Sequence, residues 1–318
     1  DSFIQFYFGK DIFGFEYNND YFRISGPFGD EWIIGSYLLY IGFLSLSYLN
    51  NFFKINDKYN LLLFLIISLA ILFSGERSSF ISIFYFLILM LIFSNKKKFI
   101  FLLSCLLIVA SLFSINFSKI LTNKYNLLNL PPSTKILDGI IGIELPIISK
   151  NHKINKNSNK LESENLKKNF LEEFVDKAKN SKWIGHSYRA YHIFKDNVFF
   201  GSGFRTYRYH CYKYDNNIDK KITKCSTHPH NFHSEIISDN GLFGYLIFVI
   251  FILNILYFFI KNKLYKDFSV TIIFCLIITF IFPLKTTGSF FTTNSSFIFW
   301  ILIGHYFHLK SLKENINS

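Results

Sequence analysis

The sequence predicts an all-α polytopic membrane protein, with about seven transmembrane helices and one long helical loop on the non-cytoplasmic side. Three observations predict it. Half of the 318 residues are hydrophobic, 41 residues are Phe and the mean hydropathy is positive, unlike a soluble domain of average composition. Mostly apolar runs recur at close to the length a bilayer requires. Lysines gather in alternate connections between those runs, the asymmetry that orients membrane helices.

The runs are 32–49, 59–73, 80–93, 99–117, 242–260, 268–284 and 295–307. Several fall short of the roughly 20 residues of a span, so their helices are expected to extend into flanking Ser, Thr and Gly. The run 136–148 is shorter and carries Asp138 and Glu144; it is not counted. With the N-terminus outside, Lys54, Lys58, Lys96, Lys97, Lys98, Lys261, Lys263 and Lys266 fall in cytoplasmic connections, and Lys310 and Lys313 in the tail. The short outer connections hold only Arg77 and Lys285. The resulting organisation is an outer segment 1–31, four spans in 32–117, a large outer loop 118–240, three spans in 241–308 and a cytoplasmic tail 309–318. Long loops cross regardless of their own charge, so the lysines of 118–240 do not oppose this topology.

Position 1 is not Met, and the only Met is Met90; a fragment lacking its N-terminal part is expected. The net charge of +12 follows from membrane orientation, and no nucleic-acid partner is expected. Within the outer loop, 150–168 is rich in Asn, Lys and Ser and reads as a solvated linker. Leu166, Phe170, Phe174 and Val175 suit one face of a surface helix, and "PPS" at 131–133 marks a turn. There is no internal repeat.

Only five of the 34 basic residues are Arg: Arg23, Arg77, Arg189, Arg205 and Arg208. All fall on the outer side of the predicted topology, against the positive-inside tendency. A guanidinium binds a phosphate through two parallel hydrogen bonds, which an ammonium cannot do. The plainer alternative is that Arg23 and Arg77 reach lipid headgroups or pair with Asp30 and Glu76. Arg205 and Arg208 lie in "GSGFRTYRYHCYKY", where Gly201 and Gly203 either let backbone approach a ligand or form an ordinary turn.

The stretch "THPHNFHSEIISDNGLFGYL" concentrates histidines just before an apolar run. Pro229 suits the first turn of a helix capped by Thr227 or His228. Such a helix would run to Asn240, with Gly241 as a stop or kink. His230 would then sit at the positive end of the helix, where protonation is disfavoured and neutral imidazole can accept a hydroxyl proton. If the helix is continuous, His230, Gly241 and Gly244 share one face. A zinc site from Cys225, His228, His230 and His233 fits no standard ligand spacing; no metal and no cofactor are expected. His186, His192, His210, His228 and His233 read as surface or interfacial polar groups. Cys105 and Cys275 read as packing residues. Cys211 and Cys225, both outside, either close a disulfide or remain free thiols.

"HNFHSEIISDNGLFG" resembles the signature of the O-antigen ligase and polymerase superfamily of polytopic membrane glycosyltransferases. The upstream "SYRAYHIFKDNVFFGSGFRTY" is similar to the family's Arg-bearing helix and Gly-x-Gly turn. "RISGPFGDEWIIGSYL" and "GERSSF" resemble its two earlier Arg elements, although "GDEW" stands where the family often shows an Asn-Pro-Asn-like stretch. The resemblance covers nearly the whole chain. It implies a GT-C-like architecture in the bacterial inner membrane, with further spans before residue 1 and an active site facing the periplasm. The implied reaction moves a glycan from an undecaprenyl-pyrophosphate carrier to a sugar hydroxyl, on lipid A core or on another glycan, with inversion and without metal. His230 and Arg189 would be catalytic. Arg23, Arg77, Arg205 and Arg208 would hold the pyrophosphate. Asn231, Gly241, Gly244, Gly201 and Gly203 would support the motif. A protein O-oligosaccharyltransferase of the same superfamily differs only in acceptor. A flippase or exporter of lipid-linked glycans would need ionisable groups near the bilayer midplane, which these runs almost lack.

Overall fold

The computed structural model describes residues 5, 10, 12, 14, 15, 25–28, 33–94, 96, 104, 182–217 and 225–317. These residues form helices and turns, with no β-strand among them. Two compact units result. One contains residues 1–142, 251–285 and 293–318; the other contains 143–250 and 286–292.

The first unit begins with α1 (Ile34–Tyr37), which passes through a π-helical turn (Leu38–Gly42) directly into α2 (Phe43–Phe53). Then follow α3 (Asp57–Phe73) and α4 (Arg77–Phe93). Asn56 caps α3 by accepting from Lys58 N at 3.2 Å, which supplies a partner for an otherwise orphaned donor.

Further along the chain, α5 (Lys182–Asp196), the short α6 (Tyr207–His210) and the N-terminal part of α7 (Phe232–Lys261) belong to the second unit. The first unit is completed by α8 (Phe268–Phe280) and α9 (Thr293–Asn317). Asp267 caps α8 through Val270 N at 3.1 Å.

α8 is buried almost all round and packs against α2, α4 and α9. A helix apolar on every face is a core helix or a span, and here it is the centre of its unit. Phenylalanine fills the space: Phe43 meets Phe64 at 4.6 Å and Phe86 at 4.7 Å, and Phe259 stacks on Phe274 at 3.8 Å. Cys275 lies buried in α8 as a free thiol.

Helices stand at six of the seven predicted runs. The seventh, 99–117, lies outside the described residues apart from Ser104, as do Cys105 and the predicted surface helix beyond 161. Among the described residues, only Phe232–Lys261 is long and apolar enough to cross a membrane by itself. Lys58–Leu72, Ser78–Phe93 and Phe268–Phe280 are apolar but shorter. The run 268–284 loses its last residues to a turn: the helix stops at Phe280, and Pro283 follows closely. Proline lacks the N–H that would continue the ladder.

At the start of α4, Glu76 is buried and accepts from Ser36 N at 2.7 Å, from Ser78 Oγ at 2.9 Å and from Ser36 Oγ. Gly35 makes this approach feasible, since a Cβ there would stand 2.9 Å from Glu76 Oε2. The acid considered for Arg77 thus has three partners elsewhere. The Arg77 side chain lies outside the described residues.

Candidate functional site

The second unit is assembled on α5. Its buried residues His186, Arg189, Ala190 and Ile193 recur at i, i+3, i+4 and i+7, one face of a helix. Ala190 and Ile193 form a small core with Tyr207 and Cys211. Cys211 and Cys225 are joined as a disulfide, with Cα atoms 5.8 Å apart. Tyr207 Oη donates to His186 O at 3.3 Å and lies 3.3 Å from His186 Nδ1. Arg189 is 1 % exposed, and it follows His186 by one helical turn on the same face.

The histidine stretch takes a different form from the one the sequence predicts. Pro229 does not open the helix. α7 begins at Phe232, and its cap is Asn231, whose Oδ1 accepts from Ser234 N at 3.0 Å. His230 precedes the cap in a left-handed conformation, φ 57°. Its carbonyl accepts from Thr287 N at 2.9 Å, so a distant segment of the chain holds this uncommon backbone state. The His-Asn pair therefore divides its work: Asn231 starts the helix while His230 stays outside it.

Gly241 breaks the helix rather than sharing a face with His230. Its φ of 65° and ψ of −168° lie in a region essentially reserved for glycine. The break would leave the carbonyls of Ser238 and Asp239, and the N–H groups of Leu242 and Phe243, without their helical partners. Segment 198–203 replaces all four. Ser202 N and Gly203 N donate to Ser238 O and Asp239 O at 3.0 and 2.9 Å; Leu242 N and Phe243 N donate to Val198 O and Phe199 O at 2.7 and 3.1 Å. Only glycines permit this contact. A Cβ on Gly201 would stand 2.5 Å from Asn240 N, and one on Gly241 would stand 2.5 Å from Phe199 O. Gly244 sits against the Asn240 side chain. The Gly-x-Gly turn and the Gly-x-x-Gly motif are thus two halves of one backbone joint.

Three imidazoles meet ahead of the start of α7. The rings of His228 and His230 lie 4.1 Å apart, and those of His186 and His230 lie 5.0 Å apart. Burial lowers the pKa of His230, and burial together with the His230 ring lowers that of His228 to about 4. Neutral imidazole is the resting form at neutral pH. His186 is buried, not the surface or interfacial group of the sequence reading, and His228 is half-buried. His233 meets Tyr245 Oη at 3.0 Å, and His192 packs on Tyr188 and Tyr214. Among the described residues, no group of three or more His, Cys, Asp or Glu is placed to hold a metal.

The arginines separate. Arg189 shares the α5 face of His186, whose ring meets His230. Arg205 is exposed, has φ 58°, and its N–H donates to Asp239 Oδ2 at 2.8 Å. Arg208 is half-buried on α6. Arg77 belongs to the other unit, and Arg23 lies outside the described residues. Among the described residues of the second unit, buried polar atoms without a hydrogen bond include Arg208 Nε, His228 Nε2, Asp239 Oδ1 and Thr287 Oγ1. Buried polar groups without partners are costly, and a polar ligand would satisfy them.

Two carboxylates were missed by the sequence reading. Glu235 is 2 % exposed and accepts from Phe290 N at 2.6 Å and Ser289 Oγ at 2.5 Å. Asp239, one turn on, anchors the backbone of Arg205. Burial raises Glu235 to about 7, against the Ser289 and Phe290 hydrogen bonds, and Asp239 to about 6. The available signal was their i, i+4 spacing just before an apolar run.

Glu235 ties the wall segment 286–292 to the helix under His230. Its pKa is raised on folding, so the stability it contributes is complete below the ordinary value of 4.5 and is lost as pH rises through about 7. Glutamine keeps an acceptor for Phe290 N and a donor for Ser289 Oγ. Glu235→Gln should therefore reduce the loss of thermal stability between pH 6 and 8 by about 1 kcal/mol. Glu235→Ala should cost about 1–3 kcal/mol at either pH by stranding the Phe290 N–H. Melting curves of the detergent-purified protein at both pH values check this; an unchanged pH difference in the Gln variant would remove Glu235 from that role.

Comparison with known families places residues 62–249, more than half of the chain, on the model described as O-antigen ligase. That span contains α5, the backbone joint and the imidazole cluster. No curated protein and no solved structure matches the chain.

Proposed function

Because the chain belongs to the O-antigen ligase family, we propose that it transfers a glycan from an undecaprenyl-pyrophosphate carrier to a sugar hydroxyl at the periplasmic face of the inner membrane. The observation that carries this reading is the meeting of the half-buried His228 and His230 rings with His186 on the buried Arg189 helix face, beside Arg208 and its unpaired Nε.

His230 takes the acceptor hydroxyl proton as the oxygen attacks the anomeric carbon. The bond from that carbon to the carrier phosphate breaks, and the lipid pyrophosphate leaves with the electron pair. Direct displacement inverts the anomeric centre. Arg189 and Arg208 oppose the growing negative charge, the type of preorganised term that usually dominates catalysis. Arg205 is assigned to the same pyrophosphate. No metal or nucleotide sugar enters the scheme.

Ligase and polymerase share this chemistry and differ in acceptor. Deleting the gene and resolving surface glycan by gel separates them. Loss of attachment with accumulation of lipid-linked polymer identifies lipid A core as acceptor. Short glycan still attached identifies a growing glycan. An unchanged profile would end the transferase reading.

A further inference from the structure

The backbone joint between 198–203 and α7 also presents an apolar surface that the transfer chemistry does not use. Phe199 and Phe200 are 70 % and 78 % exposed, although their turn is rigidly tied. Gly201 N donates to Asn197 O at 2.9 Å, and Val198 O and Phe199 O accept from Leu242 and Phe243 of α7. Hydrogen bonding therefore holds these rings outward rather than leaving them to fold back. The Phe200 ring lies 6.2 Å from that of Phe243. Phe243 begins a stripe of exposed residues, Phe243, Leu246, Ile247 and Ile250, at i, i+3, i+4 and i+7 along α7, which is long and apolar enough to cross a membrane.

We infer that the 198–200 turn, with Phe243, is an aromatic wedge that enters the outer leaflet of the bilayer at its headgroup boundary. The occupant is lipid, for two reasons. The patch continues without interruption the outward stripe of the spanning helix, and that stripe faces hydrocarbon. Its polar border has the matching charge: 197–209 holds Arg205 and Arg208 and no acid, while the preceding Asp196 is bound by Lys213 at 2.7 Å and by Tyr214. Apolar rings beside guanidinium groups suit acyl chains beside phosphates. Aromatic residues gather at that depth in membrane proteins generally.

The inference rests on the proposed function only for its purpose, which is to hold Arg205 at the level of a lipid-borne phosphate. Tryptophan at the wedge tests the location itself. Phe200→Trp is placed in a chain whose Trp32, Trp183 and Trp300 are changed to Phe. The protein is then reconstituted in phosphatidylcholine–phosphatidylglycerol vesicles with nitroxide at acyl carbon 5 or 12. Emission should shift to the blue, and carbon-5 label should quench it at least about twofold more than carbon-12 label. Quenching by aqueous iodide with none by lipid label would place the ring in water and overturn the wedge. A blue shift without lipid quenching would show a protein cover, with the same consequence. Should the three replacements prevent folding, benzoylphenylalanine in place of Phe200 in the otherwise native chain gives the same answer. Irradiation should yield phospholipid adducts, and protein adducts alone would overturn the wedge. Neither readout involves glycan transfer, so wedge and transferase stand or fall separately.

Discussion

His230→Ala is expected to lower glycan transfer by about 10²–10⁴-fold, the range of a lost general base, with the protein still present in the membrane. The ring lies against two other imidazoles, and the backbone carbonyl is the atom that Thr287 N binds. Removing the ring therefore leaves that backbone hydrogen bond in place. The pH profile adds a second readout. Burial lowers the His230 pKa, so the neutral base persists below the ordinary value of 6.5, and activity should hold from pH 7.5 to about 6.5 before falling on the acid side. Arg189→Ala should lose transfer to a similar extent, and Arg189→Lys should recover little of it. Arg189 is 1 % exposed, and an ammonium offers neither the planar fork nor its five donors. Transfer is measured by complementing a deletion strain, with membrane levels matched by immunoblot. Wild-type transfer by both the His230 and the Arg189 variants would remove them from the reaction.

Gly241→Ala is expected to be as damaging, by another route. Alanine meets two obstacles there. Its Cβ collides with the Phe199 carbonyl, and φ 65° with ψ −168° is closed to residues bearing a Cβ. Relief requires the 198–203 segment to withdraw, which strands the four backbone groups that the joint satisfies. The cost should be on the order of 3 kcal/mol or more, in the exceptional range for one substitution. The protein should then show a large fall in melting temperature or in membrane level. Gly201→Ala should do the same, because its Cβ meets Asn240 across the same joint. Gly244→Ala meets Asn240 Cβ at 2.5 Å but has no left-handed φ to abandon, and it should be milder than Gly241→Ala. Wild-type stability in Gly241→Ala would show that the joint does not form.

The sequence identified the residues of this joint without its geometry. Gly201, Gly203 and Gly241 stand out as residues that relax backbone, and His230 and Asn231 as the His-Asn pair of the family-like motif. Their assignment failed where the outcome depended on a distant partner. Pro229 and Thr227 fit a helix start by local preference, yet Asn231 caps α7, because Thr287 holds His230 in a left-handed turn. Glu235 and Asp239 received no assignment from the sequence. Their roles come from Ser289, Phe290 and Arg205, none of which is near them in the chain. His186 read as a surface group because nothing local reports that α5 turns it toward His230.

By itself the sequence determined the helical, lipid-compatible character of the chain and the residue types of its candidate site. Both follow from composition and short-range spacing, since transfer to an apolar medium and helix periodicity are local properties. The break at Gly241, the left-handed His230 and the meeting of three imidazoles with the Arg189 face were decided by tertiary structure alone. Each depends on a backbone hydrogen bond or a ring contact between segments far apart in the chain, and no local preference encodes such a partner.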